Sequence, residues 1–219
     1  MNPYRQRYHN DLADLKTMTE ELVTRVDAAI GNSLEALSSF DVEIARGVIQ
    51  EDHVVDDLSL KLENKCMELL ALQQPMAKDL RLIIAIIKIG IDLERIGDMA
   101  VDLARITIQS RNKVHVKKLV DIPRMGEVAR MMLSLASRAL EENDADLARQ
   151  ATKWDYEIDS LYVRVRDNLL KIIAENPVVI DDATSMLLAN RHLERIGDHI
   201  CNICESIIYM IEAKREHLN

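Results

Sequence analysis

The chain is written twice, and no other feature constrains its fold as much. Residues 92–98 read DLERIGD and residues 192–198 read HLERIGD, six of seven identical at an offset of 100. Upstream the offset becomes 103, where DVEIARGVIQEDHVVD from Asp41 aligns with DADLARQATKWDYEID from Asp144. Proline breaks recur as well, LLALQQP ending at Pro75 and LLKIIAENP at Pro177. A period of this length marks a folding unit used twice, so whatever one copy builds, the other must build too.

That unit is helical. Only 6 glycines and 4 prolines punctuate 219 residues, too few for the turns of a sheet protein, and Ala, Leu, Ile, Met, Glu, Arg and Lys dominate. The first copy predicts helices from about Leu12 to Ser39, Val42 to Leu72 and Met76 to Gln109. The second predicts them from about Lys117 to Leu140, Ala145 to Ala174 and Val178 to Glu216. Asp41 and Asp144 are candidate N-caps, while Pro75 and Pro177 end one hydrogen-bond ladder and suit the first turn of the next. A helix of ~30 residues is ~45 Å long, so tight connections make successive helices antiparallel. The expected fold is all-α: two tandem antiparallel three-helix bundles related by the repeat, residues 1–110 and 111–219, with the polar run QSRNK at 109–113 dividing them.

Apolar spacing supports bundles. Ile44, Val48, Val55, Leu58, Leu62, Cys66 and Leu69 follow a three-four rhythm, repeated by Leu147, Ala151, Trp154, Ile158, Leu161, Val165, Leu169 and Ile172. Trp154 is therefore expected in the core. The third helix is apolar on two stripes, one through Leu80, Ile84, Ile87 and Ile91, the other through Ile83, Gly90, Leu93 and Gly97, whose glycines would let a neighbour approach closely. It is expected to be the best-buried helix of its bundle.

A net charge of −9 and a pI near 5.2 argue against a nucleic-acid binder and against adsorption to anionic lipid. The longest apolar run, Leu82–Ile91, is about half a membrane span and is broken by Lys88. The polar N-terminus lacks a signal-peptide core. A cytoplasmic protein with no direct membrane insertion is expected. Cys201 and Cys204 form a CNIC tetrapeptide, but inside an apolar helical pattern with no second pair to complete a zinc site, which makes them core residues.

Charges then appear where the pattern asks for core. Glu94, Asp98 and Asp102 recur every four residues, a spacing that rotates each carboxylate only ~40° from the last. Asp52 and Asp56 share that spacing on the second helix. The second copy carries Asp155, Asp159, Glu194 and Asp198 at the equivalent positions, with Asn202, a weaker neutral ligand, in place of Asp102. Partly dehydrated like charges protonate or recruit a cation, and oxygen donors without thiolate describe a hard metal such as iron, manganese, magnesium or calcium. No glutamate lies three residues before a histidine, so the di-iron bundle signature is missing. Arg95 and Arg195 lie ~100° around the helix from the preceding glutamate and read as supports of the clusters or clamps between helices. His192 and His199 flank the second motif and read chiefly as solvated side chains. The alternative reading of the acidic rows is a solvated or arginine-paired surface.

With these residues in view, the chain resembles the PhoU family. The matching segments are LERIGD at 93–98, QPMAKDLRLIIAIIKIGIDLERIGDMAVDLAR at 74–105 and LERIGDHICNICESIIYMIEAK at 193–214. The resemblance implies paired three-helix bundles whose acidic motifs, here Glu94 to Asp98, Glu194 to Asp198, Asp52 to Asp56 and Asp155 to Asp159, hold multinuclear iron or another hard divalent or trivalent metal. It further implies a regulatory adaptor at the inner face of the membrane, joining a phosphate ABC transporter, through its ATPase subunit, to a sensor histidine kinase. Such an adaptor represses the phosphate-starvation response, modulates phosphate uptake, and commonly forms a homodimer. No Ser/His/Asp arrangement or glycine-rich phosphate loop suggests catalysis. A metal-dependent hydrolase or oxidase and a metal-free helical scaffold are the alternatives. His192 and Asn202 break the symmetry between the copies.

Overall fold

The computed structural model describes residues 3–110 and 121–218. Its helices are α1 (Pro3–Ser39), α2 (Val42–Gln73), α3 (Ala77–Ser110), α4 (Asp121–Glu142), α5 (Ala145–Thr152), α6 (Asp155–Glu175) and, after a 3₁₀ turn at Pro177–Val179, α7 (Ile180–Glu212). Among the described residues there is no strand. Lys117 and the end of the expected divider, residues 111–113, lie outside the described residues.

The helix starts follow local chemistry. Asp41 Oδ1 accepts from the backbone N–H groups of Glu43 and Ile44 at 2.8 and 3.1 Å. Asp144 does the same for Asp146 and Leu147, also at 2.8 and 3.1 Å, so both predicted caps satisfy donors the helix leaves over. Buried Leu15, Leu22, Val26, Ile30 and Leu37 recur on α1 at four- and seven-residue spacing, which lays one apolar stripe along most of its length. Each such side chain contributes about 1.5–3 kcal/mol by leaving water. Buried hydroxyls do not cancel that gain, because Thr19 and Ser33 donate to their own helix at Leu15 O and Ile30 O.

Helices α1–α3 form one antiparallel bundle and α4–α7 the other. The bundles meet through α3 against α7, the most extensive helix pair, and through α1 against α4. One continuous apolar core runs through both. Among the described elements, helix α2 packs on α1 and α3 alone, and α6 on those of its own half, so these two form the outer flanks.

Three expectations need correction. The helix expected over Ala145–Ala174 is interrupted at Lys153–Trp154, where the N–H groups of Trp154 and Glu157 reach back three residues, to Ala151 O and Trp154 O. This tightened turn carries Trp154 outward, 39% exposed instead of in the core, and leaves Asp155 buried beside it. The last helix ends at Glu212 rather than Glu216, because Ala213 adopts a left-handed conformation. The tail then folds back, held by Arg149 on Glu212 and Glu216 and by the Leu218 N–H on Glu205. Finally, only one of the two apolar stripes of α3 is core: Ile83, Ile86, Gly90, Leu93 and Gly97 are buried, whereas Leu80, Ile84 and Ile87 are partly exposed and Ile91 is 51% exposed.

Candidate metal centre

Glycine sets the spacing at which the carboxylates meet. A Cβ at Gly97 would lie 3.1 Å from Val55 and one at Gly90 would lie 3.3 Å from Leu62, so the bare backbone of α3 lets α2 pack tightly in antiparallel register. That register brings Asp52 and Asp56 of α2 beside Glu94 and Asp98 of α3. Burial raises the Asp52 carboxyl above its usual range, and Asp56 and Asp98 add to the effect against the opposing charge of Arg105. Burial likewise raises Glu94, with Asp98, Asp56 and Asp52 reinforcing it and Arg95 opposing. Arg95 bridges both α3 carboxylates, at 3.5 Å from Glu94 and 3.2 Å from Asp98.

The second half repeats this more tightly. Gly197 faces Asp155, whose Oδ1 would lie only 2.5 Å from an added Cβ. Asp155 is just 8% exposed. Burial pushes its carboxyl up to about 6, helped by Asp159, Asp198 and Glu194 and opposed by a hydrogen bond from the Cys201 thiol. Glu194 and Asp198 are raised by burial too, each with Arg191 opposing. One oxygen of Glu194 takes the guanidinium of Arg191. The other, Oε2, is buried with no hydrogen-bond partner. An anionic oxygen cut off from water and donors, among further carboxylates, is costly alone and well placed for a cation.

Eight of the ten sequence-selected residues thus gather in two four-carboxylate groups. Of the remaining two, Asp102 stands at the edge of the first group, near enough for its charge to raise Asp52 further, and Asn202 turns toward α3. Asp102 pairs with Arg105 at 2.9 Å and reaches toward His192 Nδ1, 3.9 Å away on α7. Asn202 donates to Asp92 at 3.3 Å, and His199 Nδ1 lies 2.8 Å from the same carboxylate. His192 and His199 are therefore mostly buried in the α3–α7 seam rather than solvated. The two departures from repeat symmetry face each other there: position 92 meets 202 and position 102 meets 192. Sequence reasoning passed over Arg191, although its place three residues before Glu194 is a helix-pairing signal. Cys201, read from the sequence as a core residue, is fully buried as expected, and its thiol also donates to Asp155, a role the sequence did not signal.

Among the described residues, no three His, Cys, Asp or Glu side chains already converge on one point as ligands. The groups are nonetheless all-oxygen and clustered, and one buried oxygen lacks a partner, which fits a hard cation drawing them together.

Comparison with known proteins agrees with the duplicated architecture. The PhoU domain matches residues 19–107 and again residues 122–207. A PhoU homolog of the phosphate-specific transport system from Clostridium acetobutylicum is 36% identical over 98% of this chain and 99% of its own length. One from Thermotoga maritima is 31% identical over 94% of this chain and 90% of its own. The crystal structure of PhoU from Pseudomonas aeruginosa superposes with a TM-score of 0.91 at 32% identity, covering 94% of this chain and 100% of that one. The phosphate transport system regulatory protein PhoU from Streptococcus pneumoniae gives 0.90 at 28% identity, covering 96% and 99%. With both repeats matched and a relative 36% identical over nearly the full length of both chains, this chain belongs to the PhoU family.

Proposed function

We propose that this chain is a non-enzymatic accessory protein of a phosphate transport system, acting as a regulatory adaptor in the cytoplasm. The observation that carries this reading is the end-to-end match to PhoU homologs named for that role, in both repeats. In the finer form of the proposal, the chain contacts the ATPase subunit of a phosphate ABC transporter and a sensor histidine kinase, and restrains both phosphate uptake and the phosphate-starvation response. It does so as a homodimer held at the membrane by its partners; no helix of the described residues is long and apolar enough to cross a membrane.

Metal belongs to the same reading. Asp52, Asp56, Glu94 and Asp98 would hold one group of hard ions, with Asp102 at its edge, and Asp155, Asp159, Glu194 and Asp198 the other. Bound iron or a similar ion would neutralise the clustered charge and tie α2 to α3, and α6 to α7. The residues prepare for this by fixing an acidic groove, excluding water around Asp155 and Glu194, and holding Glu94, Asp98 and Glu194 in place through Arg95 and Arg191.

Two experiments test the proposal. Protein purified without chelator should carry several equivalents of iron or another hard metal, and the variant Glu94→Gln, Asp98→Asn, Glu194→Gln, Asp198→Asn should lose them while keeping its helicity. Equal metal in both proteins, or none in either, removes the clusters from the proposal. The adaptor role is tested apart from metal, by co-purification with the transporter and by a phosphate-starvation reporter, which should be active in phosphate-rich medium once this chain is deleted.

A further inference from the structure

The C-terminal tail adopts a conformation that its own residues disfavour. The run EAKRE, Glu212 to Glu216, is built of good helix formers and would carry α7 onward. Instead Ala213, the residue type with the highest helix propensity, sits in the left-handed region at φ 58°, where glycine is the usual occupant. The chain reverses there and runs back along α7. Arg215 lies over the Tyr209 ring at 5.7 Å, the Leu218 N–H reaches Glu205 at 2.7 Å, and the Leu218 side chain packs against the apolar core.

A tail that gives up helix at an alanine is held from outside, and the holder is Arg149 of α5. Its guanidinium donates five hydrogen bonds of 2.7–3.0 Å, one to Asp146, two to Glu212 and two to Glu216. If α7 continued as a helix, Glu216 would stand one turn, ~5.4 Å, beyond Glu212 and away from the fork that now grips both. The Arg149, Glu212 and Glu216 side chains keep 28%, 31% and 32% of their exposure, so salt and water weaken this clasp. Local sequence favours one conformation of the tail and an accessible clasp the other, which makes it a two-state element.

The first half shows the same arginine without a clasp. Arg46 stands at the equivalent position behind the equivalent cap, and among the described residues it pairs with Glu43 alone, at 2.9 Å, with 53% of its side chain exposed. The sequence that follows α3 offers no substitute, since residues 111–120, RNKVHVKKLV, contain no acid. The repeat therefore folds with this arginine uncovered, and the clasp is an addition to the second copy rather than a requirement of the bundle.

We infer that residues 213–218 form a releasable strap over an acid-binding site on α5, a site that takes a partner-protein segment with a carboxylate two residues before an aliphatic side chain. The strap itself names this occupant, because Glu216 and Leu218 have that spacing and fill the two positions now. An arginine fork matches a carboxylate in bidentate geometry, and the place of Leu218 against the core suits another aliphatic side chain. Release requires only that Ala213 rotate back into α7, with no movement of the bundles.

The test uses the full-length chain, without metal or transporter, so its failure leaves the accessory-protein reading untouched. Strap opening is read from amide hydrogen exchange at Leu218, which should be at least tenfold faster in Glu216→Lys and severalfold slower in Ala213→Gly, with helicity unchanged in both. The site is read by NMR titration with the peptide AKREHLN, the sequence of residues 213–219, against a control peptide, AKRQHLN. The native tail competes at a millimolar effective concentration, so the acidic peptide should bind Glu216→Lys at least tenfold more tightly than the native chain. The control peptide should bind Glu216→Lys at least fivefold more weakly than the acidic one. Adding Arg149→Lys, which keeps the charge and loses the fork, should weaken the acidic peptide by a similar factor. Equal exchange in the native and Glu216→Lys chains, equal binding to the two, or equal binding of the two peptides overturns the inference. Protection of Leu218 that rises with protein concentration overturns it as well, since the tail would then dock on a second copy.

Discussion

At Gly197 one hydrogen atom in place of a methyl decides how the second carboxylate group is built. An added Cβ would meet Asp155 Oδ1 at 2.5 Å and Ile158 Cδ1 at 3.0 Å, so Gly197→Ala must displace α6 or turn Asp155 away. The substitution should lower the thermal midpoint and the metal content of the second group, although alanine is worth about 1 kcal/mol more than glycine inside a helix. Gly47→Ala is the control, because nothing lies within 4 Å of its added Cβ, and it should stabilise the chain by about 0.5–1 kcal/mol. Asp155 also gives a pH prediction. Its carboxyl moves from the ordinary 3.8 to about 6, so between those values the folded chain binds more protons than the unfolded one. Stability of the metal-free protein therefore falls as pH rises through that window, by about 3 kcal/mol at most from this group. Thermal unfolding in chelator should show a higher midpoint at pH 5 than at pH 7.5. Asp155→Asn should flatten that difference, and an equal slope in the two proteins would refute the assignment.

Among the elements, the caps are where local sequence has most control. Asp144 heads α5, a helix of eight residues with little propagation to lean on, and Asp144→Ala should cost about 1 kcal/mol in urea unfolding. The same loss is expected for Asp41→Ala ahead of α2. Helix identities, both caps and the antiparallel order were legible because each depends on residues a few positions apart. The tightened turn at Trp154 was not, since its cause is which side chain, Trp154 or Asp155, α7 accommodates. Likewise the four-residue spacing exposed the acidic rows, but not that Asn202 bonds Asp92 across to α3 or that Asp102 lies beside His192 of α7. That depends on α7, a hundred residues further on. The exposed stripe of α3 was misread as core for a related reason: periodicity reports an apolar face, and an apolar face that meets water looks the same in sequence as one that meets a neighbour.

For the molecule as a whole, the contact between bundles is a matter of packing more than charge. Arg130 of α4 grips Asp27 of α1 with two hydrogen bonds of 2.8 and 2.7 Å, yet both side chains are substantially solvated, so Arg130→Met should cost under about 1 kcal/mol. Nearby, a Cβ on Gly126 would lie 2.1 Å from Leu34 Cδ1 and 3.0 Å from its Cγ. Gly126→Val should therefore force α1 and α4 apart and destabilise the chain by several times as much, about 2–3 kcal/mol. Comparing the two variants in one denaturant series checks the claim.

The seam between α3 and α7 carries a further meaning in the facing of Asp92 with Asn202 and of Asp102 with His192. Suppose a first half were joined to another first half in this register: Asp92 would oppose Asp102, carboxylate against carboxylate at the rim of the seam. Two second halves would bring His192 against Asn202 and leave no anion for either. Only unlike halves complete both pairings. The repeat is thus symmetric in its helices and unsymmetric at this seam, where each half supplies the partner the other lacks.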